Sequence, residues 1–403
     1  MSSFFDTVEL APRDPILGLI EQFNADPNPA KVNLGVGVYQ DENGKLPLLK
    51  CVRAAEQMLV EAAKARGYLP IDGSAAYDLA AREIVFGHLD ADKAGRIATI
   101  QGVGGTGALT VGADLLAHMA PTAQVLISDP SWENHRGLFE AAGFEVQTYP
   151  YYDAARHDVD FGAMLQALRR AAPGSIVVLH ACCHNPTGCD LTAGQWQEVV
   201  DVLVAGALVP FLDMAYQGFG EGLAEDNLAV RLCLSAGLDF LVASSFSKSF
   251  SLYGERVGAL SVVCASAEDA GRVLSQLKRV IRANYSNPPT HGAAIVAHVL
   301  GTPPLRAMWE QELAGMRERI KRMRTLLQQR LVAAGARVQT DFITRQRGMF
   351  SYTGLSPSQM RQLRSEFGIY GLDSGRICVA ALNDANLDAA VAAIARVTEA
   401  AAS

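Results

Sequence analysis

Residues 175–213 read SIVVLHACCHNPTGCDLTAGQWQEVVDVLVAGALVPFLD, and the order of patterns within them decides the fold. Ser175–Ala181 is a short run rich in Val, Ile and Leu, as expected of a strand buried on both faces. Thr192–Ala205 carries apolar residues at the spacing of one helix face. Leu208–Asp213 is again a short apolar run. Strand, helix and strand in succession make a βαβ unit, whose two strands lie parallel in one sheet.

Working outward, the rhythm repeats. Gln124–Ser128, Phe144–Tyr149, Asp239–Ser244 and Val257–Cys264 are strand-length apolar runs, while Ser131–Ala142 and Glu268–Ile281 are amphipathic. With a further strand at Ile97–Gln101, the chain predicts an α/β fold on a mostly parallel sheet covered by helices on both faces. After Pro303–Pro304 the pattern changes to a long charged helix, Leu305–Ala334, whose arginine-rich part is expected to be a solvated face. Short strands at Met349–Tyr352 and Arg376–Val379 and helices at Ser356–Phe367 and Asn386–Ala400 follow, a smaller α+β unit. The expected division is a large domain at 47–304 and a linking helix with a small domain at 305–403. Residues 1–46 hold no complete βαβ element and are expected to form an arm and part of the small domain.

The 403 residues are 49% hydrophobic and 19% charged, with net charge −7, as in a globular enzyme and unlike a nucleic-acid-binding surface. Seven cysteines without a C-x-x-C pair fit reduced thiols and no metal site. No basic stretch followed by an apolar one opens the chain, and no run of ~18 apolar residues occurs, so neither a secretory signal nor a membrane span is expected. The expected location is cytoplasmic.

Gly102-Val-Gly104-Gly-Thr-Gly107 matches the dinucleotide pattern G-x-G-x-x-G, with Asp129 downstream, and taken alone suggests a nicotinamide enzyme. The loop's safer meaning is phosphate binding: backbone N–H groups at a helix start, expected at Ala108, with Thr106 adding a hydroxyl. Three further signals stand at the carboxyl ends of predicted strands, where open α/β sheets bind ligands. They are His184-Asn185-Pro186-Thr187-Gly188, Asp213-Met-Ala-Tyr216, and Ser244-Ser245-Phe-Ser247-Lys248 followed by Arg256.

Here the sequence resembles the class I pyridoxal-phosphate aminotransferases, in the branch acting on aspartate and aromatic amino acids. The resemblance runs from about Pro15 to the C-terminus through VNLGVGVYQDENGKLP, YLPIDG, SDPSWENH, HNPTG, FLDMAYQGFG, SFSKSFSLYGERVG, NYSNPP, RGMFSYTGL and SGRICVA. SWENH, CCHNPTG and SGRICVA are most similar to bacterial tyrosine (aromatic amino acid) aminotransferases. The resemblance implies the type I fold of pyridoxal-phosphate enzymes, with a seven-stranded sheet in the large domain, and a homodimer with shared sites.

It also implies roles. Lys248 matches the lysine that bonds the cofactor aldehyde and moves the proton, and Asp213 the carboxylate that keeps the pyridine nitrogen protonated. Tyr216 and Asn185 would bond the ring's phenolic oxygen, and Trp132 would stack on the ring. Gly105, Thr106, Ser245 and Arg256 would hold the phosphate, with Tyr68 reaching in from the neighbouring subunit. Arg376 would grip the substrate α-carboxylate as a bidentate fork, in a pocket that Gly37, Trp132 and Asn185 also line. Arg282 would cross the dimer to a distal carboxylate; its plainer reading is a cap on the helix Glu268–Ile281. His135 and His180 read as structural groups or partners of Asp213. Two departures stand out: Gly104 where many relatives have a serine that touches the phosphate, and Cys378 where aspartate-type enzymes often have asparagine.

The implied activity is transfer of an amino group between tyrosine, phenylalanine or aspartate and 2-oxoglutarate. A dedicated aspartate aminotransferase is the alternative within the branch. Other chemistry on the same cofactor, a non-catalytic regulator and the nicotinamide enzyme are the alternatives outside it.

Overall fold

A seven-stranded sheet organises the chain, of which the computed structural model describes residues 3–11 and 15–399. Its strands are β1 Ile97–Val103, β2 Val125–Asp129, β3 Val146–Pro150, β4 Ile176–His180, β5 Val209–Met214, β6 Phe240–Ser245 and β7 Val257–Val263. The spatial order is β1-β7-β6-β5-β4-β2-β3. Neighbours from β6 to β3 pair in parallel, whereas β7 is antiparallel to both β6 and β1. The exception has a local cause. The segment between β6 and β7 holds no α-helix, only the 3₁₀ turn Tyr253–Glu255, and a return without a crossover runs antiparallel.

The expected strands are all present within a residue or two. Strands β4, β6 and β7 are buried at every position, as chains sandwiched between helical layers must be. Val199, Leu203 and Phe240 belong to one of the cores lining the sheet, Leu109, Phe139 and Phe211 to another. A third apolar core surrounds the long helix Pro303–Ala333, joining Trp309, Leu313 and Met323 to Phe342, Ile377 and Leu387.

Three expectations need correcting. The helix after the glycine loop starts at Gly104, not Ala108. The helix expected over Glu268–Ile281 runs from Ala267 to Asn284, so Arg282 lies inside its last turn rather than beyond its end. The arginine-rich stretch of the long helix is not uniformly solvated. Arg319 and Arg324 are 9% and 2% exposed, because their guanidinium groups donate to backbone carbonyls of the C-terminal part. Before the large sheet, Val32–Asn33 pairs in parallel with Ile369–Tyr370, tying the first residues to the last hundred. The predicted final helix spans Leu387–Glu399; Ala400 lies outside the described residues. Among the described residues no helix is long and apolar enough to cross a membrane.

Candidate active site

Sheet register brings the chemistry together. His180 ends β4 opposite Asp213 on β5, and Asp213 pairs with Ala243 on β6, two residues before Ser245. The connection from β6 to β7 then carries Ser247, Lys248 and Arg256 over the same edge. Across β7, the close approach of the glycine loop depends on a missing side chain: a Cβ on Gly258 would stand 2.4 Å from the Gly104 carbonyl carbon. Gly104 itself has φ 69° and donates its N–H to the Arg256 carbonyl at 2.9 Å. A Cβ there would meet the Arg256 guanidinium at 2.5 Å, so Arg256 fills the space in which a side chain at 104 would stand.

One cavity results. Its walls include Lys248, Asp213, Tyr216, Gly105, Thr106, Trp132, Asn185, Ser245, Arg256, Arg376 and Gly37, each singled out from the sequence. Tyr68 and Arg282 are not among them: Tyr68 is 96% exposed, and Arg282 is exposed and bonded to Ser286. Phe350, Leu109 and Ile16 line the cavity without having been singled out. Phe350 lay within the motif RGMFSYTGL, but an apolar residue in a strand gives no sign that it faces a ligand. Its ring lies 4.4 Å below the Arg376 guanidinium carbon and packs edge-on against Tyr216.

The polar partners fix charge states. His135 donates from Nε2 to Asp213 Oδ2 at 2.9 Å, while Ser131 Oγ lies 2.9 Å from its Nδ1. Burial pushes the Asp213 carboxyl upward, but the hydrogen bond from His135 and the neighbouring positive charge, that of Lys248 included, outweigh it and hold the carboxyl below its usual value. Lys248 is moved the other way. Burial lowers its ammonium to about 8, Asp213 opposing the shift and Arg256 adding to it. Burial also holds His180 far below the ordinary histidine value, and its Nε2 has no hydrogen-bond partner among the described residues. Asp190 shapes the Asn185 loop by accepting from the N–H groups of Cys183 and His184 at 2.7 and 2.8 Å. Arg376, 1% exposed, donates to Asn185 Oδ1 at 3.0 Å and to the Gly35 carbonyl at 2.9 Å, and its Nε has no partner among the described residues.

The cavity is short of negative charge. Lys248, Arg256 and Arg376 face one carboxylate, Asp213, among the described residues of its walls. Neither Arg256 nor Arg376 has a carboxylate partner among the described residues; Arg256 bonds only to Ser247 Oγ and the Tyr253 carbonyl. A guanidinium left without a counter-charge in a cavity is a ready anion site. Two such guanidinium groups share the cavity with the lysine.

The family model for class I and II aminotransferases matches residues 29–394. The chain belongs to that family. Over 396 residues the aminotransferase is 60% identical to the aspartate aminotransferase of Pseudomonas aeruginosa, covering 98% of this chain and 100% of the relative. It is 51% identical over 398 residues to the aromatic-amino-acid aminotransferase of Escherichia coli, with 98% and 100% covered. A crystal structure of the aromatic-amino-acid aminotransferase of Burkholderia pseudomallei, covalently bound to pyridoxal phosphate, superposes with a TM-score of 0.96 at 62% identity. That match covers 98% of this chain and 100% of that one. In that relative the same fold holds a covalently bound pyridoxal phosphate. Besides His135, His180 and Asp213, the ligand-type atoms of Cys182, Cys183 and Asp226 lie within 4.8 Å of one another, but Asp226 is engaged by the N–H groups of Gly218, Gly220 and Glu221.

Proposed function

We propose that the aminotransferase transfers an amino group between an aromatic amino acid or aspartate and 2-oxoglutarate, with pyridoxal 5'-phosphate as cofactor. The observation that carries this reading is the pair of guanidinium groups without counter-charge, Arg256 and Arg376, in the walls of the cavity that also holds Lys248. A cofactor phosphate and a substrate carboxylate supply the two missing anions. The residues present fit the group: Gly105, Thr106, Ser245 and Arg256 would hold its phosphate, Trp132 its ring face, and Asn185 and Tyr216 its phenolic oxygen.

When bound, the cofactor accepts the electrons left on the substrate Cα after its proton departs. The protein's own groups prepare that step. Asp213, kept ionised by His135, would hold a proton on the pyridine nitrogen. Lys248, lowered to about 8, is about one-tenth neutral at pH 7, far more than an ordinary lysine, so its amine would bond the aldehyde and then carry the Cα proton. Arg376, fixed by Asn185 and Gly35, would grip the α-carboxylate and so orient the Cα bond that breaks. Phe350, beneath Arg376, keeps water from that guanidinium.

The relatives' names support both substrate classes, aspartate in one and aromatic amino acids in others. A dedicated aspartate aminotransferase is the second reading, favoured by the 60% identity to an enzyme of that name. We further assign a homodimer in the cytoplasm, in which Tyr68 and Arg282 complete the neighbouring subunit's site; their exposure in the single chain supports this. The division into an arm at 1–46, a large domain at 47–304 and a small domain at 305–403 belongs to the same proposal. The test is spectroscopic. The visible band of the cofactor-loaded protein should shift on adding aspartate, and also phenylalanine, with no nicotinamide present. A shift with aspartate alone would select the dedicated enzyme, and no shift with either would overturn the proposal.

A further inference from the structure

A second cavity, of about 520 Å³ against about 170 Å³ around Lys248, shares no wall residue with the first. Two buried side chains hold two of its wall segments. Asp226 accepts from the N–H groups of Gly218, Gly220 and Glu221 at 2.8, 2.9 and 2.9 Å and so shapes the loop after β5. Arg324, 2% exposed, donates to the carbonyls of Ile343, Arg347, Gly348 and Phe350 and shapes the segment leading to Phe350. Its Nε is buried and has no acceptor among the described residues.

The walls carry an excess of cations. Lys321, Arg324, Arg345 and Arg347 line the cavity, and Glu221 is the one carboxylate among its described wall residues. Lys321 and Arg347 share Glu221, at 2.8 and 3.3 Å, while Glu318, 3.8 Å from Lys321, and Asp341, paired with Arg345, stand outside the wall. Four cations thus border a cavity whose own anion is already divided between two of them.

We propose that this cavity binds the phosphate monoester of a small metabolite, at a site separate from the reacting lysine. A carboxylate offers one charge and two acceptor atoms, which Glu221 already provides. A phosphate monoester offers nearly two charges and three acceptor oxygens, enough to engage several cationic donors at once. The volume falls within the ~300–1,000 Å³ of small-molecule sites, so it takes an organic body as well as the phosphate.

The test uses the full-length, cofactor-loaded enzyme, so that the phosphate-binding wall beside Arg256 is already filled. Calorimetric titration at fixed ionic strength compares glucose 6-phosphate, inorganic phosphate and glucose. Glucose 6-phosphate should bind saturably at one site per chain, inorganic phosphate more weakly and glucose not at all. Lys321→Gln with Arg347→Gln should weaken glucose 6-phosphate binding by about tenfold or more without altering aspartate turnover. Glu221→Gln should tighten it by about threefold or more, because the competing carboxylate is gone, a gain that a merely destabilised protein does not produce. No saturable binding of either phosphate, binding undiminished in the double variant, or weaker binding in Glu221→Gln would each overturn the proposal.

Discussion

Lys248 and Asp213 set each other's charge, and that coupling is measurable without the cofactor. Burial lowers the lysine to about 8, and the Asp213 carboxylate keeps it from falling further. In the cofactor-free chain the Lys248 amine, followed by the NMR signal of a ¹³C-methylated side chain, should titrate with a midpoint near 8: charged below it, neutral above. Asp213→Asn removes the negative charge that favours the ammonium, so the midpoint should move down. An upward move would mean that Asp213 does not act on Lys248 as described. With cofactor loaded, the same substitution should depress turnover by about 10²–10⁴-fold, the range for losing a group that governs proton transfer. Retention of most activity with cofactor still bound would remove the role proposed for Asp213. Lys248→Ala should abolish repeated turnover, and a full rate in that variant would remove the lysine from the mechanism.

At the scale of elements, the junction of β7 with the glycine loop is a tight backbone-to-backbone joint beside the site. Gly258→Ala places a methyl 2.4 Å from the Gly104 carbonyl carbon, a backbone atom that cannot rotate away. We expect a loss of about 1–3 kcal/mol in urea unfolding and weaker cofactor retention together. Unchanged stability would show that the loop has room to spare there. Much of this architecture was legible in the sequence, because strands buried on both faces are written as uninterrupted apolar runs. The antiparallel β7 was not, since its direction follows from the missing crossover helix rather than from its own residues. The pairing of Val32–Asn33 with Ile369–Tyr370 was equally hidden: two residues carry no periodicity, and their partners lie at the other end of the chain. In the site, polar residues within long motifs could be picked out. Phe350 and Leu109 were not, for an apolar side chain looks the same whether it meets core or ligand. Arg324 was misread for a related reason, since an arginine on a charged helix gives no sign of the backbone carbonyls that bury it.

The whole molecule is proposed to work as a pair of chains, because a single chain leaves Tyr68 and Arg282 outside the cavity. Mixing Lys248→Ala chains with Arg282→Ala chains should restore one complete site per heterodimer. Mixing Lys248→Ala with Arg376→Ala should restore little, since both residues serve the same chain's site. No rescue in the first mixture, with heterodimers shown to form, would count against shared sites. The central claim is that one guanidinium, Arg376, receives every substrate's α-carboxylate while Arg282 serves only a distal one. The most direct measurement follows the cofactor spectrum through single half-reactions of aspartate and of phenylalanine in the wild type, Arg376→Ala and Arg282→Ala. The account predicts that Arg376→Ala impairs both amino acids alike, whereas Arg282→Ala slows aspartate by about tenfold or more and phenylalanine much less. Equal losses for the two amino acids in Arg282→Ala, or an Arg376→Ala enzyme that still reacts with either at the wild-type rate, would contradict it.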